Sequence, residues 1–149
     1  MTVGIVGLGL IGGSFAKAYH EAGATVLAWN RSRSVLDFAI MSGAVDAELT
    51  EDNIAACDLV LIALYPEATI EWFRRMAPHI GAHPVVLDCG GTKRTICAAC
   101  FPIAKEHGVT FLGGHPMAGT QYSGFKNAKA TMYHGAPMVI VPPDFDDVL

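Results

Sequence analysis

Directly after the β-rich run Thr2 to Val6, and directly before an amphipathic stretch from about Gly12 to Ala22, stands Gly7-Leu8-Gly9-Leu10-Ile11-Gly12. This order constrains the fold more than any other feature of the chain. Three glycines at this spacing let a chain turn sharply out of a buried strand and into a helix packed against it. Gly7 permits the turn, Gly9 lets the backbone be approached closely, and Gly12 lets the helix lie against the sheet. The N–H groups that open such a helix form a ready anion site. The expectation is a βαβ unit that holds the pyrophosphate of a dinucleotide among Gly7, Gly9, Leu10, Ile11 and Gly12.

The same alternation continues along the chain. Strands are expected at Thr25 to Trp29, Leu59 to Leu64, Val85 to Asp88, Val109 to Leu112 and Met138 to Val141. Between them lie helical patterns: one capped by Ser32 or Ser34 and running to about Met41, one opened by Pro66 and ending near Ala77-Pro78, and one from Thr92 to about His107. A possible helical turn follows Thr50, and a short helix is expected around Lys126 to Ala130. Strands that alternate with helices predict an α/β fold, a doubly wound, mostly parallel sheet covered on both faces, the three-layer Rossmann-like arrangement. At 149 residues one domain is expected. The stretch Pro142 to Leu149 reads as the start of a helix with no body, which suggests a fragment of something longer.

Composition removes several classes of function. With 10 Lys and Arg scattered along a chain of net charge −4, no basic stripe is offered to nucleic acid. Although 52% of residues are hydrophobic, Asp58 and Pro66 bracket the most apolar run, far short of the roughly 18–20 residues that span a bilayer. No membrane segment or cleaved leader is read, and a cytoplasmic location is expected. Cys57, Cys89, Cys97 and Cys100 are read as reduced thiols, since Cys97 and Cys100 fall inside a helical pattern rather than at its N-terminus. His79 and His83 are read as exposed turn histidines, and no metal is expected. A small molecule is the expected partner.

The end of the strand Thr25 to Trp29 selects the dinucleotide. An acidic residue about 20 positions beyond the glycines normally receives the ribose 2′-hydroxyl and repels a 2′-phosphate. Here that place holds Asn30, followed by Arg31, Ser32 and Arg33, two cations and a hydroxyl where a phosphate would lie. The expectation is NADP in preference to NAD.

The second chemical motif is Gly113-Gly114-His115-Pro116-Met117-Ala118-Gly119-Thr120, with Ser123-Gly124 after it. It places His115 in a stiff loop beyond the strand Val109 to Leu112, as a candidate acid or base, because imidazole titrates near neutrality. Together with Asp88-Cys89-Gly90-Gly91-Thr92-Lys93 and the opening Gly-Leu-Gly-Leu-Ile-Gly-Gly-Ser, this motif resembles the prephenate and arogenate dehydrogenases of tyrosine biosynthesis. The resemblance spans essentially the whole chain. It implies oxidation of a cyclohexadienol with loss of a carboxylate as carbon dioxide, and His115 as the base that takes the ring hydroxyl proton. It also implies substrate contacts from Thr92, Gln121 and Ser123, and a C-terminal helical domain, absent here, that completes the pocket and forms a homodimer, so that the present chain alone is expected to bind the dinucleotide without turning over substrate. The family's usual serine in the loop after Asp88 is replaced by Gly91, and a glutamate found in some relatives is replaced by Gln121. Two other readings stay open: a β-hydroxyacid dehydrogenase or imine reductase type of domain, and a nicotinamide-binding module without catalysis.

Overall fold

The computed structural model describes residues 1–144. Its elements are β1 (Thr2–Val6), α1 (Leu10–Glu21), β2 (Thr25–Trp29), α2 (Arg33–Met41), β3 (Ala47–Glu48), β4 (Leu59–Ile62), α3 (Pro66–Ile80), β5 (Val85–Asp88), α4 (Arg94–His107), β6 (Thr110–Pro116) and β7 (Met138–Val141). They build one seven-stranded sheet in the order β3-β2-β1-β4-β5-β6-β7. Every pairing is parallel except the last, β6 with β7. The Rossmann-like α/β class expected from the alternation is the one observed.

Burial explains why each run became its element. Val3, Ile5 and Val6 of β1 and Val60 and Ile62 of β4 are fully inaccessible, as central strands covered on both faces require. In α3 the buried residues Thr69, Trp72, Phe73, Met76, Ala77 and Ile80 recur at three- and four-residue intervals, one continuous apolar stripe. One core cluster gathers α3 and α4 residues such as Phe73, Ile80, Ile96 and Cys100. A second gathers α1 and α2 residues such as Phe15, Ala16, Leu36 and Ala39. The two helix pairs therefore cover opposite faces of the sheet.

Several local expectations are corrected. The helix expected to end near Pro78 continues to Ile80, because Pro78 faces solvent while the burial of Ile80 draws the last turn onto the core. It thereby carries His79, which lies 3.7 Å from Glu51, and His83 just beyond lies 3.0 Å from Asp58. The two-residue β3 was not expected; it forms because Leu27 and Ala28 of β2 offer an open edge to Ala47 and Glu48. The helix expected around Lys126 is a single 3-10 turn, Phe125–Asn127. The expected helix start after Pro142 lies largely outside the described residues. Among the described residues no helix is long and apolar enough to cross a membrane.

Residues 117–137 form a long return over α1. The Ser14 hydroxyl accepts the Lys129 N–H at 3.0 Å, Lys17 Nζ donates to the Ala128 carbonyl at 2.8 Å, and Phe15 stacks on Tyr133 at 4.1 Å. A Cβ on Gly13 would stand 2.7 Å from the Phe125 ring, so the second glycine of Gly12-Gly13 serves this packing.

All four cysteines are buried and unpaired. Burial pushes the Cys57 thiol from 9.0 up to about 11, and those of Cys89 and Cys100 up to about 12. A redox Cys-x-x-Cys needs the opposite shift. Because the folded chain holds these protons more tightly than the unfolded one, the stability they confer is whole below pH 9. It is lost as pH rises toward 12, by about 1 kcal/mol per pH unit for each thiol. Urea melts at pH 8 and pH 10.5 are expected to show a clear loss at the higher pH, with no thiol of the native chain titrating with a disulfide reagent at pH 8.

Candidate functional site

The strand order reverses between β1 and β4, so a crevice opens where their carboxyl ends diverge, the usual ligand position of such sheets. Gly7 turns the chain there with φ +92°, its N–H donating to the Trp29 carbonyl at 2.8 Å. A Cβ on Gly7 would stand 2.6 Å from the Ala63 carbonyl oxygen, and one on Gly12 would overlap the Gly7 carbonyl oxygen. Around Gly9, in contrast, nothing lies within 4 Å of where a Cβ would be. Two glycines are thus required by the protein's own packing, and the middle one faces open space. Helix α1 begins at Gly9 with no side-chain cap and no acid in its first turn, leaving its N–H groups and positive dipole end uncompensated. Leu10 and Ile11, half-buried, complete this cradle. Its shape and charge fit a pyrophosphate.

At the end of β2 the structure redistributes the expected roles. Asn30 Oδ1 accepts the Leu8 N–H at 2.9 Å and its Nδ2 donates to the Ser32 carbonyl at 3.0 Å, so this side chain braces the glycine turn. Arg33 donates to Glu48 at 2.7 Å and pairs with Asp37 at 3.0 Å. These two carboxylates hold its guanidinium further into the charged form, with the hydrogen bond it donates to Glu48 as the largest cause. Ser32 and Ser34 share a hydroxyl–hydroxyl contact of 3.1 Å. Arg31 is exposed and, among the described residues, enters no salt bridge. Of the two cations expected to face a 2′-phosphate, one is already occupied by Asp37, one helical turn along α2, and by Glu48, which β3 brings alongside.

His115 lies in β6, opposite Val139 of β7, and not in a loop. The expected strand end at Leu112 marks only where pairing with β5 stops. The antiparallel return of β7 then supplies partners for Gly113 to Pro116. The ring is half-buried, and among the described residues its nitrogens have no hydrogen-bond partner. Its Nε2 stands 4.0 Å from the position a Cβ on Gly91 would take, so the imidazole faces the loop between β5 and α4. Thr92 is exposed in that loop, one residue ahead of the helix cap at Lys93, and does not cap α4 as its sequence position suggests. Gln121 and Ser123 are exposed on the return loop; the Ser123 carbonyl accepts from Asn127 at 2.6 Å. No hydrogen bond joins them to His115 among the described residues.

In the sequence, Asp88 and Lys93 belong to a motif that carries the family resemblance, and neither is singled out as a site residue. In the structure Asp88 is fully buried, and its carboxylate receives Gly90 N–H, Gly114 N–H and Lys93 Nζ. The signal was available in the acid that ends β5, followed five residues later by a lysine at a helix start. Among the described residues no group of three or more His, Cys, Asp or Glu is gathered as a metal site would require.

The profile of the family described as "Prephenate dehydrogenase, nucleotide-binding domain" matches residues 15–148. A prephenate dehydrogenase of Bacillus subtilis is 29% identical over 146 residues, which cover 95% of this chain and 39% of that protein. The crystal structure of Synechocystis arogenate dehydrogenase superposes with a TM-score of 0.89 at 26% identity, covering 99% of this chain and 52% of the other. A prephenate dehydrogenase of Aquifex aeolicus, solved with hydroxyphenyl propionate and NAD+, gives 0.78 at 26% identity, covering 99% and 52%. The chain thus spans about two fifths to one half of the length of these relatives, and by the breadth of the match it belongs to the family of prephenate dehydrogenase nucleotide-binding domains.

Proposed function

We propose that this chain is the nucleotide-binding part of an enzyme that oxidises prephenate or arogenate with loss of carbon dioxide, with His115 as the base and NADP as the preferred dinucleotide. The observation that carries the reading is the position of the His115 imidazole. It is unpartnered among the described residues and stands on the sheet edge at which the open glycine cradle also lies.

The chain's own residues have defined tasks. Gly7, Gly9 and Gly12 shape the turn, and the Leu10 and Ile11 N–H groups face the phosphates. Asn30 keeps that turn closed through Leu8. When bound, the nicotinamide supplies a hydride acceptor. His115 Nε2 takes the proton of a ring hydroxyl, and the electron pair left on oxygen weakens the C–H bond at the same carbon. Thr92, Gln121 and Ser123 border the same edge as substrate contacts. The remaining half of the pocket and a homodimer interface come, in this proposal, from a helical domain of the kind the family carries. Four buried, unpaired thiols suit a reducing compartment, consistent with the cytoplasm.

For the cofactor, Arg31 is the exposed cation beside Ser32, while Arg33 is held by Glu48 and Asp37. Exposed pairs of this kind contribute little and open readily, so Arg33 can join when a 2′-phosphate arrives. The test is an assay of the intact protein, helical domain included, with prephenate and arogenate, each with NADP and NAD. Turnover of one of them, with the lower KM for NADP, is expected. Arg31→Ala is expected to raise the NADP KM about tenfold, the size of one charge-assisted contact, and to leave NAD nearly unchanged. Tighter NAD binding overturns the cofactor choice, and turnover of a 3-hydroxy acid in place of both substrates overturns the reaction.

A further inference from the structure

The β5–β6 ladder pairs Val85 with Thr110, Val86 with Phe111 and Leu87 with Leu112, and then stops. The half of β6 that bears His115 hangs on its other neighbour, β7, a four-residue strand at the edge of the sheet. What ties this half back to the body of the sheet is the Asp88 side chain. Its Oδ1 accepts the N–H of Gly114, the residue immediately before His115, at 3.1 Å. Its Oδ2 accepts the Gly90 N–H at 3.0 Å and also receives Lys93 Nζ. One fully buried carboxylate thus joins the end of β5, the loop that carries Gly91 and Thr92, and the imidazole-bearing strand.

Close packing makes the tie rigid. A Cβ on Gly114 would overlap the Asp88 carbonyl oxygen, and one on Gly113 would stand 2.7 Å from Cys97 Sγ and 3.2 Å from Lys93 Cδ. The two glycines let β6 approach near enough for a short aspartate to reach its backbone. Lys93, itself largely buried at 17% exposure, supplies the charge without which a carboxylate in this place would be uncompensated.

We propose that Asp88, neutralised by Lys93, is the positioning residue for His115, holding the imidazole at a fixed distance from the β5–α4 loop. The proposal builds on the assignment of His115 as the base. It is tested by Asp88→Asn combined with Lys93→Met, which removes both charges together and keeps the approximate volume. The double variant is expected to bind NADP within about twofold of the parent, since the glycine cradle lies on other strands. Its kcat is expected to fall by between about ten- and a hundred-fold with KM little changed, the size of effect a displacement near 1 Å produces.

Two magnetic-resonance readouts are independent of turnover. In the parent the Gly114 amide is expected to exchange at least about a hundredfold more slowly than the exposed Gly119 amide, as a held N–H does. The His115 ring is expected to give one sharp set of signals that broadens or doubles in the double variant. A Gly114 amide that exchanges as freely as Gly119, or a folded double variant with parental kcat and unchanged ring signals, overturns the proposal. If the intact parent, helical domain included, turns over neither prephenate nor arogenate, the proposed function fails, and the amide and ring signals still decide the positioning role. If the double variant does not fold, the parent's Gly114 amide decides it.

Discussion

His115→Asn is expected to lower kcat by about 10²- to 10⁴-fold, the usual worth of a positioned general base, with little change in the KM for the dinucleotide. The asparagine amide keeps a polar group of similar size at a half-buried position, so the fold has no reason to yield. It has no basic nitrogen, so the hydroxyl proton must leave to water. The imidazole is well placed to show this effect cleanly, because no hydrogen-bond partner among the described residues is orphaned by its removal. The measurement is steady-state turnover of the intact protein, helical domain included, with both substrates, beside a cofactor titration followed by fluorescence. Turnover within tenfold of the parent sinks the assignment of His115 as base.

Gly12→Ala is expected to have the largest effect on cofactor affinity, weakening dinucleotide binding at least about a hundredfold, the equivalent of roughly 3 kcal/mol. Its cause lies inside the protein: the new Cβ would overlap the Gly7 carbonyl oxygen, so the turn or helix α1 must move. Gly7 cannot absorb the shift, being pinned by its bond to Trp29 and pressed against the Ala63 carbonyl. The helix start must retreat, and with it the N–H groups aimed at the phosphates. Overpacking of this kind costs about 1–3 kcal/mol of stability, a fall of several degrees in Tm. Gly9→Ala provides the contrast. Nothing lies within 4 Å of its Cβ position, so the fold is expected to keep its Tm while dinucleotide affinity falls, because the methyl group occupies the ligand's space. Calorimetry on the two variants separates the roles; equal losses of Tm in both would refute the distinction.

Much of this site was legible in the chain because it depends on short-range geometry. The positive φ at Gly7, the close approach at Gly12 and the open position at Gly9 are consequences of side chains that are absent, and their spacing shows this directly. The histidine motif was legible in a different way. Its residue types marked His115 as unusual, but its placement in a loop was an error, since glycine and proline hide a strand from propensity reasoning. Pairing with β7, some 25 residues later, made it a strand. Arg33 shows the same limit. Its charge suggested a phosphate contact, whereas Glu48, brought alongside by β3, already occupies it.

The sequence alone determined the alternation of the main strands and helices, the mostly parallel three-layer architecture and the glycine turn from β1 into α1, and it singled out His115 as a candidate. The first three follow from periodicities of a few residues and from backbone freedom, which do not depend on distant neighbours, and His115 follows from its side-chain chemistry and from the family resemblance of its motif. Only the tertiary structure decided that Asn30 braces the turn, that Arg33 is paired with Glu48 of β3, and that Asp88 reaches Gly114 across 26 positions of sequence. These are hydrogen bonds and ion pairs between segments that meet only after the sheet has assembled. Their partners are set by strand order and register, and no local pattern in the chain encodes either.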